Sequence, residues 1–251
     1  MGISVSLMAF TVNALVLVAH FKLFLLIGLN APDSMLLAAL INIAIYILGR
    51  FNVQVMSTVM LSNLRKVSMI KLGSKYIMQP LSFKVSRHVS IEVNLGGTLA
   101  PMTIATLISM YLMLNYGVCG LILLAPIVTL LILIINKLSI GIRGLGLAVP
   151  IFVTSLITTF ISVLSTLVAG MNIDLAVLCS YVAAYISILV GVDLMNIRRA
   201  IFHDVKRIVI GGLRLYDALV LIPATSTILT YVITSLYFIY LLIFNAFSYL
   251  S

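Results

Sequence analysis

The chain reads as an all-α polytopic membrane protein: about seven transmembrane helices with a small cytoplasmic β element. Three observations carry that reading. Apolar residues fill 63% of the 251 positions and charged residues only 8%, where a soluble domain carries roughly 25% charged residues. Apolar runs long enough to cross a bilayer recur along the whole length. The basic residues gather between alternate runs instead of scattering. Together these features exclude a soluble globular domain, a disordered chain and a coiled coil.

The expected spans are residues 4–29, 33–49, 94–114, 117–136, 146–169, 173–195 and 216–246. The second is short. The last, about 31 residues at 1.5 Å each, exceeds the roughly 30 Å hydrocarbon core, and Pro223 is expected to kink it near its start. The whole chain, 1–251, is read as a single membrane domain, with 50–93 as a basic cytoplasmic insert.

Charge sets the expected orientation. Of fifteen basic residues, fourteen lie in segments 50–93, 137–145 and 196–215, which share one side if there are seven spans. The links on the other side, 30–32, 115–116 and 170–172, carry none. Positive charge stays in the cytoplasm, so the N-terminus is expected inside, the C-terminus outside, and the cell membrane is the expected location. The net charge of +9 then points to the lipid bilayer and its anionic head groups as partners, or to a membrane-protein substrate, and not to nucleic acid. Lys22 is the exception and is expected to snorkel to an interface.

Within 50–93 the pattern alternates. Phe83, Val85, Val89, Ile91 and Val93 fall on one face, and Lys84, Ser86, His88, Ser90, Glu92 and Asn94 on the other. That is the signature of a half-buried strand, expected over about 83–92 and paired near 52–60.

Six acids exist, so each can be weighed. Asp33 and Asp174 open spans and read as caps or first-turn residues. Glu92 and Asp204 read as solvated or paired. Asp193 lies near the end of span 6, where an ionisable group needs a partner or a cavity, and Arg198 or Arg199 is the plain partner. Asp217 opens span 7 and is a good helix cap. Yet the two acids sit at the same ends of antiparallel neighbours. Three readings fit the pair: a cap with an ion pair, a catalytic dyad sharing one proton, and a coupling site in an ion- or proton-driven transporter. A non-enzymatic membrane scaffold is the fourth reading of the chain.

Asn94, Gly96, Gly97 and Pro101 mark a broken helix start, read either as close packing or as a substrate or gate region. The Ser/Thr rows of span 5 (Ser155, Thr158, Ser162, Ser165) and span 7 (Thr227, Thr230, Thr234) read as helix–helix contacts. The histidines do not cluster, and Cys119 and Cys179 form no CxxC, so no metal site and no cofactor are read.

Several stretches, in order, resemble an uncharacterised archaeal and bacterial membrane-protein family (domain of unknown function 1614). Leu48-Gly49-Arg50-Phe51-Asn52-Val53 looks like its Leu-Gly-Ser-x-Ile-Asn-Ile element. Val93-Asn94-Leu95-Gly96-Gly97 with Pro101 looks like its Val-Asn-x-Gly-Gly-x-x-x-Pro signature. Gly146-Leu147-Ala148-Val149-Pro150 resembles its Gly-Ile-Ala-x-Pro. Gly191-Val192-Asp193-Leu194-Met195-Asn196 resembles its Gly-x-Asp-Leu-Leu-Asn. Gly211-Gly212-Leu213-Arg214-Leu215-Tyr216-Asp217 resembles its Gly-Gly-x-Gly-x-Phe-Asp-Gly, with Arg214 in place of a glycine and Ala218 in place of the last one. That resemblance implies no reaction. Two aspartates on consecutive spans are also distantly similar to the intramembrane aspartyl peptidases, presenilin-like and prepilin-peptidase-like, whose second motif, Gly-x-Gly-Asp, this sequence lacks.

Overall fold

A computed structural model describes residues 2–72, 75–142, 146–197 and 207–248. Six of its helices are long and apolar enough to cross a membrane. Helix α1 (Gly2–Leu26) and α2 (Ala31–Leu48) pack side by side. Asn30 caps α2 by accepting the Asp33 N–H at 2.9 Å, so Asp33 is a first-turn residue.

The longest stretch, Leu95–Leu138, has 44 residues, about 66 Å if it were one straight helix and twice the hydrocarbon core. It is not straight. Helix α3 (Ala100–Leu138) loses helical geometry at Gly117, where φ is 60° and ψ −147°. A Cβ on Gly120 would lie 3.0 Å from the Leu112 carbonyl oxygen, whereas eight residues of straight helix rise about 12 Å. The chain therefore doubles back, and arms 100–116 and 118–138 form a helical hairpin. Only glycine takes φ near +60° without strain from a Cβ, which is why the reversal falls there. The folded α3 and the five other helices make seven membrane-length segments.

Helix α4 (Ile151–Val168) starts later than the expected 146, because residues 146–148 pair as a short strand. Here β3 (Ile140–Ile142) and β4 (Gly146–Ala148) form a two-stranded hairpin ahead of the helix. Helix α5 (Asp174–Ile188) is the centre of the bundle, with thirteen of its fifteen residues buried. A helix apolar on every side can only sit there. It runs on through a π-helical turn, Leu189–Leu194, to Ile197. The last helix, α6 (Ala218–Ser248), passes through Pro223.

The Ser/Thr rows join α4 to α6. Ser155 and Thr225 hydroxyls meet at 2.8 Å, Thr159 donates to the Ser226 carbonyl at 3.2 Å, and Thr230 donates to Thr159 at 3.2 Å. Other hydroxyls of the row bond back to their own helix, as Thr158 does to the Thr154 carbonyl. Lys22 does not stand alone in the apolar region: its ammonium donates to the Tyr231 hydroxyl at 2.9 Å and lies 4.1 Å from that ring's centre, tying α1 to α6.

The β element is larger than the alternation predicts. Strands β1 (Asn52–Leu72) and β2 (Lys75–Asn94) pair antiparallel along their whole length, roughly 65 Å at 3.3 Å per residue. Residues 83–92 do form a strand, and their partners run from Leu64 to Gln54. Val89 and Ile91 are buried and His88 is exposed, as the alternation requires. The rest of the ribbon escapes prediction because its sequence, residues 56–82, keeps no strict period-two alternation. Near its base a third strand, β5 (Arg207–Ile210), joins β2 in parallel, Ser90 opposite Arg207 and Val93 opposite Ile210. Glu92 pairs there with Arg207.

Candidate functional site

The base of the ribbon, the end of α2, the start of α3, the end of α5 and the start of α6 meet at one end of the bundle. What lets them meet is glycine. A Cβ on Gly96 would overlap the Ile45 carbonyl and the Gly49 backbone, and one on Gly97 would overlap the Gly211 carbonyl. Three backbone segments thus touch with no side chain between them.

Polar groups close the junction. Asn94, 1% exposed, donates to the Gly49 carbonyl at 2.8 Å and to Asn52 Oδ1 at 2.7 Å, while its own Oδ1 accepts the Gly97 N–H at 2.8 Å. It therefore caps the turn Leu95–Leu99, which is π-helical. Thr98 Oγ1 donates to the Ile210 carbonyl at 3.0 Å, and Tyr185 on α5 donates to the Thr98 carbonyl at 3.1 Å. Pro101 is buried in the first turn of α3, where its missing N–H costs nothing.

Beside this junction lies a cavity of about 420 Å³. Strand β5 and the turn after it form one wall, residues 147–149 of the β3–β4 hairpin another, and the ends of α5 and α6 the rest. Asp193 and Asp217 both line it, and both are half-buried. Asn94, Gly96, Gly97 and Pro101 do not line it; they back its wall through the Gly97–Gly211 contact.

Asp217 is held as a helix cap. Its backbone is extended (φ −72°, ψ 147°), Oδ1 accepts the Leu219 N–H at 3.1 Å, and Oδ2 accepts the Leu213 N–H at 3.2 Å. Each oxygen keeps a lone pair for the cavity. Asp193 sits in the π-helical turn of α5, and among the described residues no donor or cation pairs with its carboxylate. Arg198 and Arg199, the partners expected from the sequence, lie outside the described residues, as do Arg143 and Asp204. Arg214 does not bridge the two acids among the described contacts; its side chain lies over Gly49.

Arg214 has φ 59°, the left-handed region where glycine is at ease, and the resembled motif has glycine at this position. Arg214→Gly is therefore expected to be neutral or to stabilise by up to about 1 kcal/mol, and Arg214→Val to cost about 1–2 kcal/mol. Thermal unfolding in detergent would check the order; a valine variant as stable as the glycine one contradicts it.

Two features of the site were not anticipated. Strand β5 carries Ile208-Val209-Ile210 just before Gly211-Gly212, a β-branched run stopped by glycines that signals a short strand. Asn136, on the second arm of α3, donates to the Gly191 carbonyl at 2.7 Å, a contact no spacing in the sequence announces.

The sequence model of a family described as "Protein of unknown function (DUF1614)" matches residues 36–229, well over half of the chain. The chain belongs to that family. No curated protein and no solved structure matches it.

Proposed function

We propose that this membrane protein is a di-aspartate intramembrane peptidase in which Asp193 and Asp217 act as one pair. The observation that carries the reading is their placement: two carboxylates from adjacent helix ends line one cavity, about 420 Å³ in volume, at one end of the bundle. Carboxylates that share a site share a proton. One of the pair takes a proton from an attacking water while the other protonates the carbonyl oxygen of a peptide bond. The tetrahedral intermediate then collapses, and the proton returns with the leaving amine. The apolar wall around Ile188 and Val192 suits a hydrophobic substrate segment and limits bulk water. In this reading the 94–101 junction holds the cavity wall in place as the substrate region's support.

One observation favours a second reading. Both oxygens of Asp217 already accept backbone N–H groups, so the residue has a structural task of its own as the cap of α6. Incubating the purified protein in liposomes with apolar single-span peptides separates the two. Cleavage lost on Asp193→Asn supports the peptidase; no cleavage of any peptide by the unmodified protein leaves the cap as the role of Asp217.

The reading also sets an orientation. The basic ribbon and the cavity face the cytoplasm and anionic lipid head groups, with the N-terminus inside and the C-terminus outside. Lys75→Cys is then shielded from an impermeant thiol reagent added outside intact cells, and Tyr249→Cys reacts with it. Labelling at position 75 and not at 249 reverses the topology.

A further inference from the structure

We infer that Asn136 and Asn196 are positioning residues that set the direction of Asp193. The inference rests on the proposed role of Asp193 only for its consequence in catalysis; the geometry stands apart from it. Across Leu189–Leu194 the helix is widened. The Met195 N–H bonds to the Val190 carbonyl, five residues back, and bypasses the Gly191 carbonyl, which an α-helix would have used. That released carbonyl accepts two side-chain amides, Asn136 Nδ2 at 2.7 Å and Asn196 Nδ2 at 2.8 Å.

The Asn196 amide is itself held through Ser139, whose hydroxyl donates to the Asn136 backbone carbonyl at 2.7 Å and accepts from Asn196 Nδ2 at 3.3 Å. Asn196 is 1% exposed. Gly191 makes the approach possible, because a Cβ there would stand 3.0 Å from the Ile132 carbonyl oxygen, one turn before Asn136 on the same helix. Two neutral donors on one carbonyl have a specific effect. They satisfy the group that a π turn orphans, and so remove its pull back to the α register.

Without them the cheapest repair is for Gly191 to recover an α-type bond. That change of register turns the following residues by up to about 100° about the helix axis. Asp193 is two residues on, so it leaves the cavity wall. Gly191, Asp193 and Asn196 thus form one device within six residues: a close approach, a working acid and the lock on its direction.

The test reads the direction of position 193 by chemistry. In a background without natural thiols (Cys119→Ser, Cys179→Ala), Asp193→Cys and, separately, Asp217→Cys are alkylated in detergent with a charged, water-soluble maleimide. Adding Asn136→Leu or Asn196→Leu is expected to slow alkylation at 193 at least tenfold and leave the rate at 217 unchanged. Asn136→Gln, which keeps an amide donor, recovers most of the rate. A variant that fails to fold changes the rate at 217 as well; Asn136→Ser, whose short side chain falls away from Gly191, then takes its place. Equal rates at 193 in all backgrounds overturn the inference, as does a parallel change at both positions with Asn136→Ser. Peptide cleavage is read alongside. If the unmodified protein cleaves nothing while the alkylation pattern holds, the peptidase reading falls and the positioning stands. If it cleaves and Asn136→Leu leaves kcat intact, the positioning falls.

Discussion

Asp217→Asn is expected to lower cleavage of a membrane peptide by about 10²–10⁴-fold, the usual worth of a positioned acid or base, while unfolding at the same temperature as the unmodified protein. The separation of the two effects follows from the cap. Asn keeps one acceptor oxygen and so holds one of the Leu213 and Leu219 N–H groups, yet asparagine ranks with aspartate as a cap. Asp217→Ala removes activity and the cap together, and stability falls by about 0.5–2 kcal/mol. Activity assays paired with thermal unfolding of the three proteins check this. If Asp217→Asn cleaves as fast as the unmodified protein, Asp217 is a cap and nothing more.

The largest expected loss of stability is at the backbone junction. Gly97→Val places a branched side chain where the Gly211 carbonyl lies, and neither partner is the loose end of a flexible side chain. Gly211→Val adds a second fault, because φ at that position is +72° and a Cβ there meets Thr98 Oγ1 and the Gly97 backbone. Overpacking costs about 1–3 kcal/mol and the left-handed backbone about 1–2 more, so Gly211→Val is expected to cost about 2–5 kcal/mol. Gly28→Ala is the control for backbone strain alone: φ is +98°, with open space around it. Unfolding temperatures falling in the order Gly28→Ala, Gly97→Val, Gly211→Val agree with the contact account; equal losses at all three contradict it.

The helices and most of their bounds are legible in the sequence, since lipid demands long apolar runs and closed backbone hydrogen bonding. Even the reversal at Gly117 falls where the expected spans 94–114 and 117–136 meet. That Asp193 and Asp217 line one cavity is legible for the same reason: antiparallel neighbours bring the end of one span to the start of the next. Three things are not. The ribbon 52–94 hides because residues 56–82 keep no strict period-two alternation, and only the pairing itself makes them strands. The start of α4 at Ile151 hides because Gly146-Leu147-Ala148 is apolar in either state, and only pairing with Ile140–Ile142 makes it a strand. The π turn hides because its cause lies elsewhere in the chain: Asn136, 55 residues from Gly191, takes the carbonyl that would otherwise close an α-helix. Paired glycines at 96–97 and 211–212 are visible as motifs, but only the structure joins them into one contact.

The most direct test of the acid pair is cleavage in heavy-oxygen water. The purified protein in liposomes, given apolar single-span peptides in H₂¹⁸O, is expected to release products whose new C-terminal carboxyl carries one ¹⁸O, as attack by free water requires. Asp193→Asn and Asp217→Asn are each expected to release it about 10²–10⁴-fold more slowly, and the double variant no more slowly than either, since the two acids work as one unit. Cleavage with the label present in either single variant at the unmodified rate would contradict the account.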